Sequence, residues 1–546
     1  MDDKLFVIAI GGTGMRCLES FVHLCAIGMF DNQEIEVMML DTDSSNGNLG
    51  RTETLIDMYR KIKSETSDNV DGGTPNTDTF FSAKLNFYKF CTDYNDVQRI
   101  SYKNISRLAE GDPENRRQNE LLSDLFLDKE TVQEFHLDHG YRAQTHLGSH
   151  LMYHGIVEAA RKIRDGKDVK AAEKNLADFL NKLDKAAENA RVFVFGSVFG
   201  GTGASSIPII PVAFKDAVSV YSGGKSTLDL SKTKFGSTLL TEYFSFKKPD
   251  LKQMAAKKDS VIADSSFFPL NSQAALQFYQ QDPTVQSVYK RMYHIGWPLE
   301  SKPLSDNGQN ETITGGKEQK NNCHIVELMC ACGAYDFFTI DDALLKDDRV
   351  QYLFRSIPFE SNAFNFSPND LVGDKGNVLA NKLGAFLSFA HIVLAKNKAA
   401  FGDTGTRGFL KQMKQNKIDT YDAISEQATD EIDEYLKMFA YTFDNQKQFV
   451  PGWIYQVRKS VGSGSFLFKP SAFQETQKEL EKLDVGDIFF DDNHNWPKGG
   501  VFSDRYDTFV KTLIDRGLPR EDQHVQTVKE QFMAHIYNGI TLSQKF

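Results

Sequence analysis

The chain has 546 residues, 40% hydrophobic and 25% charged, enough at roughly 100–200 residues per domain for two to four domains with a substantial core. A net charge of -11 argues against broad binding to a phosphate backbone, so nucleic acid is not an expected partner. Cys17, Cys25, Cys91, Cys323, Cys330 and Cys332 form no paired metal motif and read as free thiols; with neither a signal-peptide pattern nor an apolar span, the expectation is a cytoplasmic protein without a membrane partner.

In chain order, "KLFVIAIGGTGMRCLESFVHL" predicts a strand over Leu5 to Ile10, a turn at Gly11, Gly12, Thr13 and Gly14, then a helix. Its apolar positions Leu18, Val22, Cys25 and Met29 fall at three- and four-residue spacing. "IEVMMLDTDSSN" follows as an apolar strand ending on Asp41 and Asp43, which completes a β-α-β unit. The stretch 47–140 exceeds any usual loop and contains the polar helical run "NRRQNELLSDLFLDKETVQEF", so it predicts an inserted helical lobe.

A second strand–turn–helix unit opens at 192, where "VFVFGSVFGGTGASSIPIIPVAF" places Gly200, Gly201, Thr202, Gly203, Ala204 and Ser205 after an apolar run. Glycine permits φ values and close approaches that other residues forbid. A helix is expected from near Ser206, with Pro208 tolerated in its first turn and Pro211 kinking it. "SDNGQNETITGGKEQKNN" at 305–322 reads as a polar, flexible loop. Helical periodicity then dominates to the end, with strands expected at "WIYQV" and "GSFLF".

The first unit alone is compatible with a Rossmann dinucleotide site, in which an acid at the end of the second strand holds a ribose, or with a structural turn. Such a site does not call for the second glycine unit. Together the loops resemble the tubulin and FtsZ superfamily. That family binds GTP with a glycine loop after its first strand, an Asp-Thr-Asp-type turn after its second and a G-G-G-T-G-[ST]-G-like signature after its fourth.

These correspond to Gly11–Gly14, to Asp41-Thr42-Asp43 and to Phe199-Gly200-Gly201-Thr202-Gly203-Ala204-Ser205. The resemblance implies an α/β fold with a parallel sheet wound by helices. Residues 1–340 would form a tubulin-like GTP-binding domain with a central helix at 322–338, and 341–546 a mainly helical C-terminal domain. It also implies a third loop at "YRAQTHLGSHLMYHG", with Gly148 opening a helix and Gln144, Thr145 and His146 near the terminal phosphate. Asn271, and Asn322 or Asn321, are the implied contacts to the base.

The pattern departs from the family at three places. Phe199 and Ser205 stand where the signature begins and ends on glycine, and the loop after the central helix carries Asp341, Asp342, Asp347 and Asp348 without the family's Asn-x-Asp spacing.

Physically, two rows of backbone N–H groups would make an anion cradle that needs no lysine. Thr202 and Ser205 are expected to offer hydroxyls to phosphate, and Asp41 or Asp43 to hold Mg²⁺ directly or through water. Asp341 and Asp342 are the candidates for orienting a water against a γ-phosphate.

The expected function is binding of GTP and GDP with Mg²⁺, coupled to self-association or a protein partner, with GTPase activity when a neighbour completes the site. Divergent bacterial tubulin-like proteins of this size resemble the chain, and defence is one setting that analogy suggests. A non-hydrolysing switch that recruits a partner and a Rossmann-type dinucleotide enzyme are the alternatives. "VGSGSF" at 461–466 reads as a hairpin rather than a nucleophile elbow. Asp491, Asp492 and His494 read as a surface turn, with a metal site as the other possibility.

Overall fold

The computed structural model describes residues 3–64, 71–91, 145–298 apart from 168, 227 and 246–263, 316–354 apart from 347–348, 359–396 apart from 361–362, 426–462, 472–483 and 517–541, with a few isolated positions. Its centre is a seven-stranded, all-parallel sheet in the order β3-β2-β1-β4-β5-β6-β7. The strands are β1 (Lys4–Ile10), β2 (Glu34–Asp41), β3 (Lys84–Cys91), β4 (Ala190–Phe195), β5 (Lys234–Leu240), β6 (Tyr289–Ile295) and β7 (Gln351–Phe354). Parallel strands require crossovers, and helices supply them on both faces.

The alternation of β1 shows how the layers are fixed. Leu5, Val7 and Ala9 enter one core while Phe6, Ile8 and Ile10 enter the other, so a continuous apolar run is what a strand covered on both sides demands. On the first face lie α1 (Gly11–Ala26) and α2 (Gly47–Lys63); on the second lie α3 (Thr145–Asp165), α4 (Ala171–Ala186) and, after the short α5 (Thr202–Ser206), α6 (Ile210–Ser222). The helices α7 (Phe268–Gln281) and α8 (Pro283–Val288) lead into β6. The central helix α9 (Ile325–Thr339) is buried on nearly all sides, as an all-round apolar helix must be, and packs against α1 and the sheet.

Several expectations change here. The segment 47–140 is not wholly an insertion: its first part is the crossover helix α2, and 84–91 is the sheet's edge strand β3. Apart from positions 117, 118 and 121, its remainder from 92 onward lies outside the described residues. The kink expected at Pro211 is instead a break: α5 ends at Ser206 and Pro211 sits in the first turn of α6, where its missing N–H costs nothing. "WIYQV" is helical, because Trp453, Ile454 and Val457 share a buried side of α13 (Trp453–Ser460); of "GSFLF" only Phe466 and Leu467 are described, and neither is in a strand.

The C-terminal region contributes α10 (Pro368–Val372), α11 (Gly376–His391), α12 (Glu426–Phe439), α13, α14 (Gln477–Lys482) and α15 (Val528–Thr541). Among the described residues, two small antiparallel strand pairs, β8 (Phe359–Glu360) with β9 (Ala363–Phe364) and β10 (Tyr441–Phe443) with β11 (Phe449–Pro451), also belong to it.

This region shares the sheet's core. Trp453 Nε1 donates to Ser20 Oγ of α1 at 2.9 Å, Tyr435 OH lies 3.2 Å from His23 Nδ1, and Lys63 of α2 pairs with Glu530 of α15. β7, which lies beyond the expected boundary at 340/341, pairs with β6 inside the sheet. The run Pro368–Ala395 has the length and hydropathy of a membrane span, but 78% of its most apolar window is buried in the protein, as in a core helix.

Candidate functional site

The strand order reverses between β1 and β4, and in open α/β sheets ligands bind outside the carboxyl ends at such a point. Both glycine turns lie there. Gly11 takes φ +67°, a left-handed conformation that favours glycine, and lets β1 turn sharply into α1. A Cβ on Gly11 would stand 3.1 Å from Thr202 Cβ, so the two turns touch. Gly203 serves a different need: a Cβ there would stand 2.6 Å from the Ser197 carbonyl, and only glycine lets the second turn fold this tightly.

Gly11 to Gly14 form the first turn of α1, and Thr202 to Ser205 open α5 behind Gly200 and Gly201. Neither helix start is closed by a capping side chain, and neither carries an acid in its first turn. Thr202 is half-buried between the turns. Ser205 Oγ instead donates to the Thr202 carbonyl at 3.0 Å, so that hydroxyl serves its own turn rather than an incoming phosphate. Phe199, the departure from glycine, anchors the loop: its ring lies 4.9 Å from that of Phe268 and 5.4 Å from that of Phe244.

The carboxylates at the end of β2 differ from each other. Asp43 is committed within the loop, accepting from Ser45 N and Oγ on one oxygen and from Gly316 N at 2.8 Å on the other. Asp41 is only 2% exposed; its Oδ1 accepts from Thr42 N and Asp43 N, while Asp41 Oδ2 and Thr42 Oγ1 have no partner among the described residues. Burial, reinforced by the neighbouring Asp43 charge, pushes the Asp41 carboxyl up to about 7. A divalent cation suits this donor set, since it would use the orphaned oxygen and neutralise two adjacent buried carboxylates.

The remaining expected residues divide between the two ends of the sheet. Asn271, on α7, donates from Nδ2 to the Phe199 carbonyl at 3.4 Å, at the second turn. Gly148 is buried in the first turn of α3, which runs from Thr145 as described, and the adjacent Ser149 Oγ donates to the Ser205 carbonyl at 2.9 Å. Thr145 and His146 share that turn, and Gln144 lies outside the described residues.

Asn322 is exposed, whereas Asn321 is buried and joined to Asn48 by two hydrogen bonds. Asp341 is exposed and caps Ala343 N. Asp342 pairs with Arg191 and Lys234 at the starts of β4 and β5. Both aspartates therefore stand at the amino ends of the strands, away from the glycine turns, and within one chain they do not join that site. Asp347, Asp348, Asp491, Asp492 and His494 lie outside the described residues.

Sequence reasoning missed the strap at 316–324 that closes one side of the site. Asn46 Nδ2 donates to Gln319 Oε1 at 2.7 Å beside Gly12, and Gly47 N donates to the Gly316 carbonyl. Beneath the strap, fully buried Arg16 donates to the carbonyls of Asn321 and Asn322 and to Glu327 Oε1. Glu327 Oε2 meanwhile accepts from His324 N, closing a capping box on α9. That box is visible in "HIVE" before an apolar run, and Asn46 in "SSNGN" is a helix-cap signal. Arg16 carried no local signal.

No family model, curated protein or solved structure matches the chain. The structure establishes an α/β fold on a seven-stranded parallel sheet.

Proposed function

We propose that the chain binds a nucleotide, GTP or GDP with Mg²⁺, in the manner of the tubulin and FtsZ superfamily, and that its nucleotide state governs self-association or a protein partner. The observation that carries this reading is the contact of Gly11 with Thr202, which brings two uncapped helix starts together at the switch point of a 3-2-1-4-5-6-7 strand order. Backbone N–H groups of both turns would bind the phosphates, and Asp41 would hold the cation, which supplies charge neutralisation when bound. Asn271 supports a base contact beside the second turn.

Hydrolysis would need an acid from a neighbouring chain, because Asp341 and Asp342 lie at the far end of the sheet. The ion pairs that hold Asp342 favour a second reading, a switch that binds nucleotide without hydrolysing it. GTP turnover measured across protein concentrations separates them: specific activity that rises with concentration supports a shared site, and negligible turnover at every concentration supports the switch. Turnover that is present but independent of concentration would contradict both.

A further inference from the structure

Three of the twelve histidines, His146, His150 and His154, recur every fourth residue along α3, and Glu158 continues the series. Four-residue spacing puts successive side chains on one face of a helix, one turn apart. His146 and His150 are exposed and His154 is half-buried, so the row is open to solvent; His146 lies in the turn expected near the phosphate, whereas His150 and His154 take no part in the site described above. The rings of His150 and His154 have centroids 5.4 Å apart and planes inclined by 25°.

We propose that His150 and His154 form a binding site for a divalent transition-metal ion of the zinc, nickel or copper class. Two imidazoles one helical turn apart are a natural chelate, and a metal–nitrogen distance of about 2.1 Å fits between rings at this separation after rotation about the broad terminal torsion of histidine. No group of three or more such ligands forms among the described residues, so protein supplies two ligands and water the rest. Competing soft ligands are scarce, since five of the six cysteines are buried and Cys91 is partly so.

The position also gives the ion a consequence. Ser149, beside His150, donates to the Ser205 carbonyl behind the second glycine turn, so a metal clip across the next turn would stiffen the helix that supports it.

Calorimetric titration of Zn²⁺ and Ni²⁺ into the untagged, chelator-treated Asp41→Asn chain in excess Mg²⁺, which removes the cation site proposed at Asp41, tests this, with thermal melts of the same samples. The expected result is one saturable ion per chain, weakened by at least about tenfold in His150→Ala and in His154→Ala, as loss of even an outer-shell partner can do. The ion should raise the melting temperature of that parent chain and not of the double histidine variant made in it. His150 is exposed and His154 half-buried on the helix surface, and circular dichroism verifies that the variants fold. Absence of saturable binding by either ion, or binding retained in the folded double variant, would overturn the proposal.

Discussion

The two ends of the parallel sheet are built in opposite ways. At the amino ends, Asp3, Arg191, Lys234 and Asp342 satisfy one another in a closed cluster, and Arg191 also donates to the carbonyls of Phe337 and Ile340 at the end of α9. At the carboxyl ends, two helix starts lack capping side chains and Asp41 keeps an orphaned oxygen despite its burial. One end spends its polar groups on the fold. The other leaves part of its polar groups unpaired, which is what the proposed site requires.

The largest expected effect lies under the strap, where the carboxyl end is tied to α9. Removing one partner of a buried ion pair leaves the other charge uncompensated, so Glu327→Ala should cost about 3–5 kcal/mol in urea denaturation. A loss under about 1 kcal/mol, ordinary for a surface pair, would remove Arg16 and Glu327 from that role.

The pH dependence of stability should come next. The folded Asp41 carboxyl titrates at about 7 against an ordinary value near 4, so the folded state holds this proton more tightly than the unfolded state does. Its contribution is complete below about pH 4, declines as pH rises toward 7 and is gone above, a fall on the order of 2–4 kcal/mol. Asp41→Asn should flatten that decline. Mg²⁺ with nucleotide should do so too, and a decline that persists in the variant would assign it to another group.

Smaller effects sharpen the contrast. Asn46→Ala removes the cap of α2 together with the Gln319 bond and should cost about 1 kcal/mol, with weaker ligand binding. Asp342→Asn should cost less than about 1 kcal/mol, since its side chain is 45% exposed and Arg191 keeps Asp3. Ligand affinity of the isolated chain should be unchanged by it. A larger affinity change from Asp342→Asn than from Asn46→Ala would reverse the assignment of the two ends.

What could be read from the sequence follows from locality. β1, β2 and β4 carry continuous apolar runs, LFVIAI, VMML and VFVF, that lead into turn residues, so strand and following turn were legible together. β3, "KLNFYKFC", mixes lysine and asparagine into an edge strand and was lost within a long segment that looked inserted. The glycine turns announced themselves because backbone conformation restricts residue type. The strap did not, since Asn46 meets Gln319 across 273 residues and Arg16 meets Glu327 across 311, distances over which no periodicity operates.

The most direct measurement is calorimetric binding of GTP, ATP and NAD in Mg²⁺ buffer to nucleotide-stripped wild type and to Gly201→Trp, whose indole would fill the cradle. GTP binding by the wild type, lost in a folded variant, is the predicted result and would mean that the glycines exist to admit phosphates to the backbone. Preference for NAD would move the site to the dinucleotide class. No binding of any nucleotide, or binding that the tryptophan leaves untouched, would contradict a phosphate site at the meeting of the two turns.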